Sequence, residues 1–250
     1  MAKKPHSRAP VTVVIGDIVE SRKLTVQRRS SLQVELNGVL KWFNRHYKGA
    51  VLSDFLVTLG DECQGVLGAA EAFVELMWAV ETVIPDSEIR WGIGHGAIVG
   101  PLEPVALGMD GPAFYRAREA VINAKRARAL GGVFAGFGND EDVMLNGFAR
   151  LLHYERSNWS PLQRRVMEEL RVVPNVANVA ERLGVSRQDI SKKSQRAGGR
   201  AYFEAESAWR LLLSRFDARE KWGRAAAELK PAIPPASISA KPAKGRRVAR

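Results

Sequence analysis

Two aspartates stand where a hard metal cation could bind. Asp17 lies in the segment IGDIVES at residues 15–21, and Asp61 lies in TLGDECQGVL at residues 58–67. Each follows a glycine beside an apolar, strand-like run, so the two carboxylates would share a site if the strands were sheet neighbours. A single Gly-Asp pair is typical of a turn or a cap. Paired aspartates, however, are what metal-dependent phosphoryl and nucleotidyl transfer uses, and we therefore predict a magnesium site at Asp17 and Asp61.

A second set of residues has the composition of a DNA-contacting helix. The pattern predicts two short helices joined by a turn, with Gly184 in the turn, Val185 as its apolar plug and Ile190 facing inward. The outward residues of the second helix are of types that contact base edges and phosphates in a major groove. With the capping serine they form the predicted DNA-binding set: Ser186, Arg187, Gln188, Ser191, Lys192, Lys193 and Arg196.

The same segment resembles a known DNA-binding unit. Its run VAERLGVSRQDISK is similar to the helix-turn-helix of bacterial transcription regulators and of sigma-factor region 4. Two alternatives stay open, namely an ordinary helical hairpin with a solvated basic face and a protein-interaction version of the same unit. The resemblance implies DNA as a partner.

Charge is distributed unevenly along the chain. Residues 11–150 hold 17 acidic and 14 basic side chains, residues 151–229 hold 10 and 15, and residues 230–250 hold six basic and no acidic ones. The net charge of +11 therefore resides outside the first large segment. This pattern favours a polyanionic partner for the carboxy-terminal part, with solubility alone as the alternative.

Several classes of protein are excluded or disfavoured by composition. Cys63 is the single cysteine, which rules out an internal disulfide and a paired-cysteine zinc site, so we expect a buried structural thiol. No run approaches the roughly 20 apolar residues of a membrane helix, and the basic start MAKKPHSRAP is not followed by a signal-peptide core. We expect a cytoplasmic protein with no membrane contact.

The predicted elements alternate between strands and helices. Apolar runs predict strands at 11–16, 55–59, 63–67, 89–99 and 133–137, and helical periodicity predicts helices at 29–47, 69–83, 111–130 and 143–154. This order predicts an α+β fold whose sheet carries helices on one face, followed by a small all-α helix-turn-helix domain. An amphipathic segment at 201–216 would pack on that domain or pair two protomers as a homodimer.

The segment SNWSP near residue 157 marks the predicted boundary between domains. The predicted organisation is a disordered basic arm (1–10), a first domain (11–156), a DNA-binding domain (157–229) and a disordered basic tail (230–250).

Four motifs identify the first domain as a member of the SatD family. They are GDIVESR at 16–22, LGDECQG at 59–65, RWGIGHG at 90–96 and GMDGPAFYRAREA at 108–120. More distantly, the pattern is similar to class III nucleotidyl cyclases, whose ferredoxin-like or palm domain holds metal with an aspartate after the first strand and another at the central hairpin. The resemblance implies magnesium at the two aspartates and a nucleoside triphosphate ligand. We expect the nucleotide contacts at Ile18, Gly60 and Arg116, with a solvated face as the alternative for the arginine.

One departure from the cyclases concerns the chemistry itself. Where they carry an asparagine and, four residues later, an arginine that stabilise the transition state, this chain has Tyr115 and Glu119. A glutamate cannot supply positive charge to a developing oxyanion. We therefore assign no catalytic residue and predict a DNA-binding transcriptional regulator with a nucleotide- or metal-sensing domain. The alternatives are an active magnesium-dependent nucleotidyl cyclase or nucleotidyltransferase with other catalytic residues, and a purely structural first domain.

Overall fold

The structure is a computed structural model that describes residues 9–58 and 60–238. The strands are β1 (Val11–Ile18), β2 (Val51–Val57), β3 (Glu62–Leu67), β4 (Ile89–Gly96) and β5 (Val133–Ala135). The helices are α1 (Val26–His46), α2 (Ala72–Val83), α3 (Pro112–Ala127), α4 (Asn139–Ser157), α5 (Pro161–Val172), α6 (Val176–Leu183), α7 (Arg187–Arg196) and α8 (Gly199–Ser214). Every predicted strand and helix therefore has a counterpart. The predicted arm, except its last two residues, lies outside the described residues, as does residue 59.

The five strands form one sheet in the order β2-β3-β1-β4-β5. The central strand β1 runs antiparallel to both neighbours, and β5 pairs in parallel with β4. The register sets Asp17 opposite Glu62 on β3 and opposite Arg90 on β4. The end of β1 and the tip of the β2–β3 hairpin thus meet at one end of the sheet.

Helices cover both faces of this sheet, which corrects the prediction of helices on one face. Val14 and Ile18 of β1 pack in the core formed with α1 and α2, whereas Val11, Val13 and Ile15 pack in a second core formed with α3. All eight residues of β1 are buried. A continuous apolar run such as VTVVI is typical of a strand buried on both sides, and this signal argues against a one-sided layer.

Two glycines of β4 allow α3 to lie directly on the sheet. A Cβ atom at Gly94 would lie 2.2 Å from the carbonyl oxygen of Ala113, and one at Gly92 would lie 2.3 Å from that of Ala117. Because both obstacles are backbone atoms, a side chain at either position would push the helix away. These glycines therefore set the position of α3 on the sheet.

The helices after α4 share a core with the first domain. A break in the helical structure separates α4 from α5, as predicted. Ser160 caps α5 in a reciprocal capping box with Gln163. Yet the main core continues past this break, since Met167 of α5 and Tyr202 and Trp209 of α8 belong to the same buried cluster as residues of α2. The apolar face of α8 is therefore buried within the chain and is not available to pair two protomers.

A buried group of four charged side chains ties these helices together, and we call it the interhelix ion cluster: Glu75 of α2, Arg171 of α5, and Glu206 and Arg210 of α8. Arg171 donates to both carboxylate oxygens of Glu75 at 2.8 and 2.9 Å and to Glu206 at 2.7 Å. Burial alone would raise the pKa of Glu75, but the guanidinium groups of Arg171 and Arg210 hold that pKa below its usual value.

The chain returns to the first domain after α8. The hydroxyl of Tyr47 on α1 donates to the carbonyl of Lys230 at 2.9 Å, and Ile238 packs against Gly38 of the same helix. Residues 230–238, which we had assigned to a disordered tail, thus contact the folded core through apolar and backbone groups. Residues 239–250 lie outside the described residues. No helix in the described ranges is long and apolar enough to cross a membrane.

Candidate functional site

Asp17 and Asp61 line one cavity, as the paired motifs predict. The backbone N–H of Ile18 donates to the carbonyl oxygen of Asp61 at 3.1 Å, which fixes the end of β1 against the hairpin turn. The cavity measures about 460 Å³. Its walls also include charged residues from the loop after β1 and from α3, and the complete lining is Asp17, Ile18, Glu20, Ser21, Lys23, Asp61, Glu62 and Lys125. We call this cavity the acidic pocket.

Three of the four carboxylates of the acidic pocket are paired with a cation of the chain. Lys125 Nζ lies 2.9 Å from an oxygen of Asp17, and Lys23 Nζ lies 2.7 Å from Glu20. Arg118 contacts both oxygens of Glu62 at 2.7 and 2.8 Å. The fourth carboxylate, Asp61, accepts a hydrogen bond from the hydroxyl of Ser21.

The backbone next to the acidic pocket is strained at two places. Among the described residues, Glu20 and Arg128 are the non-glycine residues with positive φ, at 54° and 50°. Glu20 lines the pocket, and Arg128 ends α3 three residues after Lys125. Such conformations cost of order 1 kcal/mol each and cluster at functional sites, so the strain favours a functional role for this end of the sheet.

A magnesium ion fits the donors of the acidic pocket provided that a ligand completes its shell. In the described part of the chain, no group of three or more Asp, Glu, His or Cys side chains could hold a metal ion. Magnesium, however, usually takes one or two carboxylates and fills its octahedral shell with water and substrate phosphates. Asp17 and Asp61 meet that requirement as a pair of carboxylates on one open cavity.

The predicted nucleotide contacts are only partly brought together. Ile18 lines the acidic pocket, and the exposed Gly60 lies in the hairpin turn next to Asp61, where its carbonyl accepts from Gln33 at 2.6 Å. Arg116 is elsewhere, because its Nη1 donates to the carbonyl of His95 at 2.6 Å. His95 pairs with Thr12, five residues from Asp17 on β1, so the two ends are about 16 Å apart. Arg116 therefore does not line the acidic pocket, and its contact with a nucleotide stays a prediction.

The sequence pattern did not single out Lys125 as the α3 residue that reaches the acidic pocket. Helical spacing contains the signal: Ala117 and Val121 pack on Gly92, and Lys125 follows Val121 by four residues on the same side of α3. Since α3 runs antiparallel to β4, each later turn of α3 lies closer to Arg90 and Asp17. The sequence did not show which end of β4 the last turn of α3 lies against.

Two further polar residues of the sheet, His95 and Cys63, have structural roles. His95 is buried, lies 3.1 Å from the hydroxyl of Thr12 and stacks on Phe137, and burial lowers its pKa to about 4. Cys63 is also buried, and burial raises the pKa of its thiol to about 12. Neither group lines the acidic pocket.

The predicted DNA-contacting residues form the outer face of α7. Ile190 is fully buried in a small core with Val166 and Val179, whereas Arg187, Gln188, Ser191, Lys192 and Arg196 are exposed and Lys193 is half-buried. The hydroxyl of Ser186 accepts from the backbone N–H of Asp189 at 3.1 Å, which makes it the cap of α7 as predicted.

The turn before α7 differs in one detail from the prediction. Gly184 has the expected left-handed conformation (φ 65°), but Val185 is 38% exposed and does not plug the turn. Its backbone N–H instead closes the end of α6 by donating to the carbonyl of Ala180 at 3.0 Å.

Comparison with known proteins gives a family and a weak structural likeness. A crystal structure described as the catalytic core of a rhodopsin-guanylyl cyclase with converted specificity in complex with ATPalphaS is similar at 21% identity and a TM-score of 0.32, over 44% of this chain and 71% of that chain. Curated proteins gave no match. The SatD family matches residues 11–213, which extends the resemblance beyond the first domain to include α5, α6, α7 and nearly all of α8. The chain belongs to the SatD family.

Proposed function

We propose that this protein is a DNA-binding regulator. In this proposal α5, α6 and α7 form a helix-turn-helix, and the acidic pocket binds the ligand that regulates it. The observation that carries the proposal is the composition of the outer face of α7. Its inward residue Ile190 is buried, while the exposed side chains are cations and hydrogen-bonding groups, apart from Asp189. This is the distribution that a helix reading a major groove requires.

A second feature of the same surface favours phosphate binding. The amino-terminus of α5, capped by Ser160, opens on a groove of about 260 Å³ that Lys192, Lys193 and Arg196 also line. A helix amino-terminus carries partial positive charge and unpaired N–H groups, which attract anions. Together with these three cations it forms a phosphate-binding site for the DNA backbone beside α7.

The contacts of two predicted residues refine their roles. The hydroxyl of Ser186 also donates to the carboxylate of Asp189 at 2.8 Å, so we assign it to capping and not to base contact. Lys193 is half-buried beside α5, and we assign it to phosphate. Base contacts fall to Arg187, Gln188 and Ser191, which lie on the first two turns of α7.

For the regulatory ligand, we propose that Asp17 and Asp61 hold a magnesium ion that neutralises the phosphates of a bound nucleoside triphosphate. The interhelix ion cluster supports communication with α7, because it joins α2 of the first domain to α5 of the DNA-binding unit without a flexible linker. We place this activity in the cytoplasm.

The placement of both aspartates on one cavity also favours a second candidate, a magnesium-dependent nucleotidyl cyclase or nucleotidyltransferase. Against it, Glu119 is exposed and Tyr115 bonds to Asp110 at 2.7 Å, so neither provides a cation or amide to the pocket. Incubation with each triphosphate and magnesium or manganese tests this candidate, which a cyclic or oligomeric product would support.

DNA binding is tested with the triple variant Arg187→Ala, Lys192→Ala, Arg196→Ala on a mixed-sequence duplex at several salt concentrations. If Lys192 and Arg196 contact phosphates, the slope of log K against log salt should fall by about 0.9 for each, while the loss of Arg187 removes a base contact. The matched control is Lys41→Ala, Arg45→Ala, Lys48→Ala, which removes the same charge from exposed positions at the end of α1. Equal losses in both triples, or no loss in the first, would contradict the proposal.

A further inference from the structure

Lys125 is the cation that α3 delivers to the acidic pocket. Its ammonium lies 2.9 Å from a carboxylate oxygen of Asp17, whose side chain is 12% exposed, while the lysine side chain itself is 45% exposed. The lysine thus reaches inward from the rim of the cavity to a largely buried carboxylate. Asp17 is also one of the two proposed ligands of the magnesium ion.

A divalent cation at Asp17 competes with Lys125 for the carboxylate. A metal ion at that carboxylate would neutralise it and would repel the ammonium at a distance of a few ångströms. Because Lys125 has a flexible four-carbon stem and is anchored at the rim, it can leave without any change in the backbone of α3. The carboxylate can therefore exchange one cation for another.

The released ammonium would face the place where an anion bound to the metal must lie. Of the other cations around the pocket, Arg118 is bound to both oxygens of Glu62, and Lys23 is paired with the exposed Glu20 and not with either proposed metal ligand. A lysine is a strong point charge for phosphate, and the position that would hold an arginine in cyclases is the exposed Glu119.

From these contacts we infer that Lys125 exchanges partners: it neutralises Asp17 in the cation-free pocket and binds the polyphosphate of the ligand once a divalent cation has taken Asp17. This inference rests on the proposed nucleotide-binding function of the acidic pocket and adds the residue that links metal binding to phosphate binding. It makes Lys125 a ligand-binding residue and the counterpart of the positive charge that α3 lacks at Glu119.

The test uses Lys125→Met in the full chain, because methionine keeps most of the length of the side chain, removes its charge and suits a helix. Manganese serves as the spectroscopic probe for magnesium, and its free concentration is followed by electron paramagnetic resonance. Without its competitor, Asp17 should bind manganese about two- to fivefold more tightly, as the strength of a half-exposed ion pair implies. In the same variant, inorganic tripolyphosphate with magnesium should bind about tenfold more weakly or worse, because a charged hydrogen bond is lost.

A higher affinity for manganese together with a lower affinity for tripolyphosphate is the result specific to partner exchange. The matched control is Lys23→Met, which removes the same charge from the same pocket but from a lysine paired with Glu20, and it should change each affinity less than about twofold. A Lys125→Met protein that binds manganese more tightly and tripolyphosphate as before would overturn the exchange and leave Lys125 a structural ion-pair partner. Unchanged affinities for both probes would also overturn it.

The failure of this inference can be distinguished from failure of the pocket itself. Wild-type protein that binds neither manganese nor tripolyphosphate with magnesium would remove the nucleotide-binding function and the inference together. Wild-type binding that Asp17→Asn abolishes and Lys125→Met leaves intact would keep the function and remove the inference alone.

Discussion

Replacement of Arg171 by methionine should destabilise the whole protein, because this side chain is the centre of the interhelix ion cluster. Arg171 is 4% exposed, Glu75 is fully buried, and Glu206 is 6% exposed. In the variant Glu75 keeps Arg210, but among the described side chains Glu206 keeps only the indole N–H of Trp78, at 2.7 Å. Removal of one partner from a buried ion pair costs about 3–5 kcal/mol, since a desolvated charge is left behind.

The measurement is urea unfolding followed by tryptophan emission, because Trp78 and Trp209 are buried in the core that the cluster joins. We expect one cooperative transition in the wild-type protein and a lower midpoint in Arg171→Met. Addition of Glu206→Gln should restore part of the loss, about 1–3 kcal/mol, because the uncompensated charge is then gone.

A matched control is an ion pair between α5 and α6. The pair of Arg182 and Glu169 is 3.2 Å apart but its arginine side chain is half-exposed, so Arg182→Met should cost less than about 1 kcal/mol. If Arg171→Met were equally mild, or if α5–α7 unfolded separately from the first domain, the view that both parts share one core would be refuted.

Two further predictions concern β4. Gly94→Ala should cost about 3 kcal/mol in urea unfolding, because its Cβ would meet the backbone of α3, whereas Gly147→Ala, with open space around it, should stabilise α4 by up to about 1 kcal/mol. Equal effects would contradict this placement of α3. Burial lowers the pKa of His95 from its ordinary 6.5 to about 4, so its contribution to stability is complete above pH 6.5 and is lost as the pH falls toward 4. The loss is about 2–3 kcal/mol, and His95→Gln should remove it.

Patterns local in sequence predicted the elements well. The helix α1 begins at a capping Thr25 and follows the spacing of Leu32, Leu36 and Leu40, and the hairpin was evident from two apolar runs around Gly60 and Asp61. The meeting of Asp17 and Asp61 was also predictable, because both lie at the ends of strands that turned out to be neighbours. In each case the residues that carry the signal are close in the chain, or related by a single strand pairing.

Features that depend on how distant segments meet were not predictable in the same way. Contact of Gly92 and Gly94 with the helix backbone determines which end of β4 each turn of α3 lies against. This contact puts Arg116 beside His95 and outside the acidic pocket, which the sequence did not show. The interhelix ion cluster brings together four residues from three helices. No local sequence pattern around Glu75 or Arg171 indicates which side chain each of them pairs with. Burial of these charges follows from the packing of α5 and α8 on α2.

The return of the chain onto α1 has a consequence for the order of folding. Tyr47 and the Lys230 carbonyl that it contacts are 183 residues apart, and α2 receives its partners on α8 more than 100 residues after its own synthesis. The sheet and its first helices leave the ribosome before these partners exist, so Trp78 lacks its neighbours Trp159 and Tyr202 during that time. An uncovered apolar helix is the surface that chaperones bind and from which aggregation starts. We therefore expect translation speed through α4–α8 to influence how much of the chain reaches its folded state.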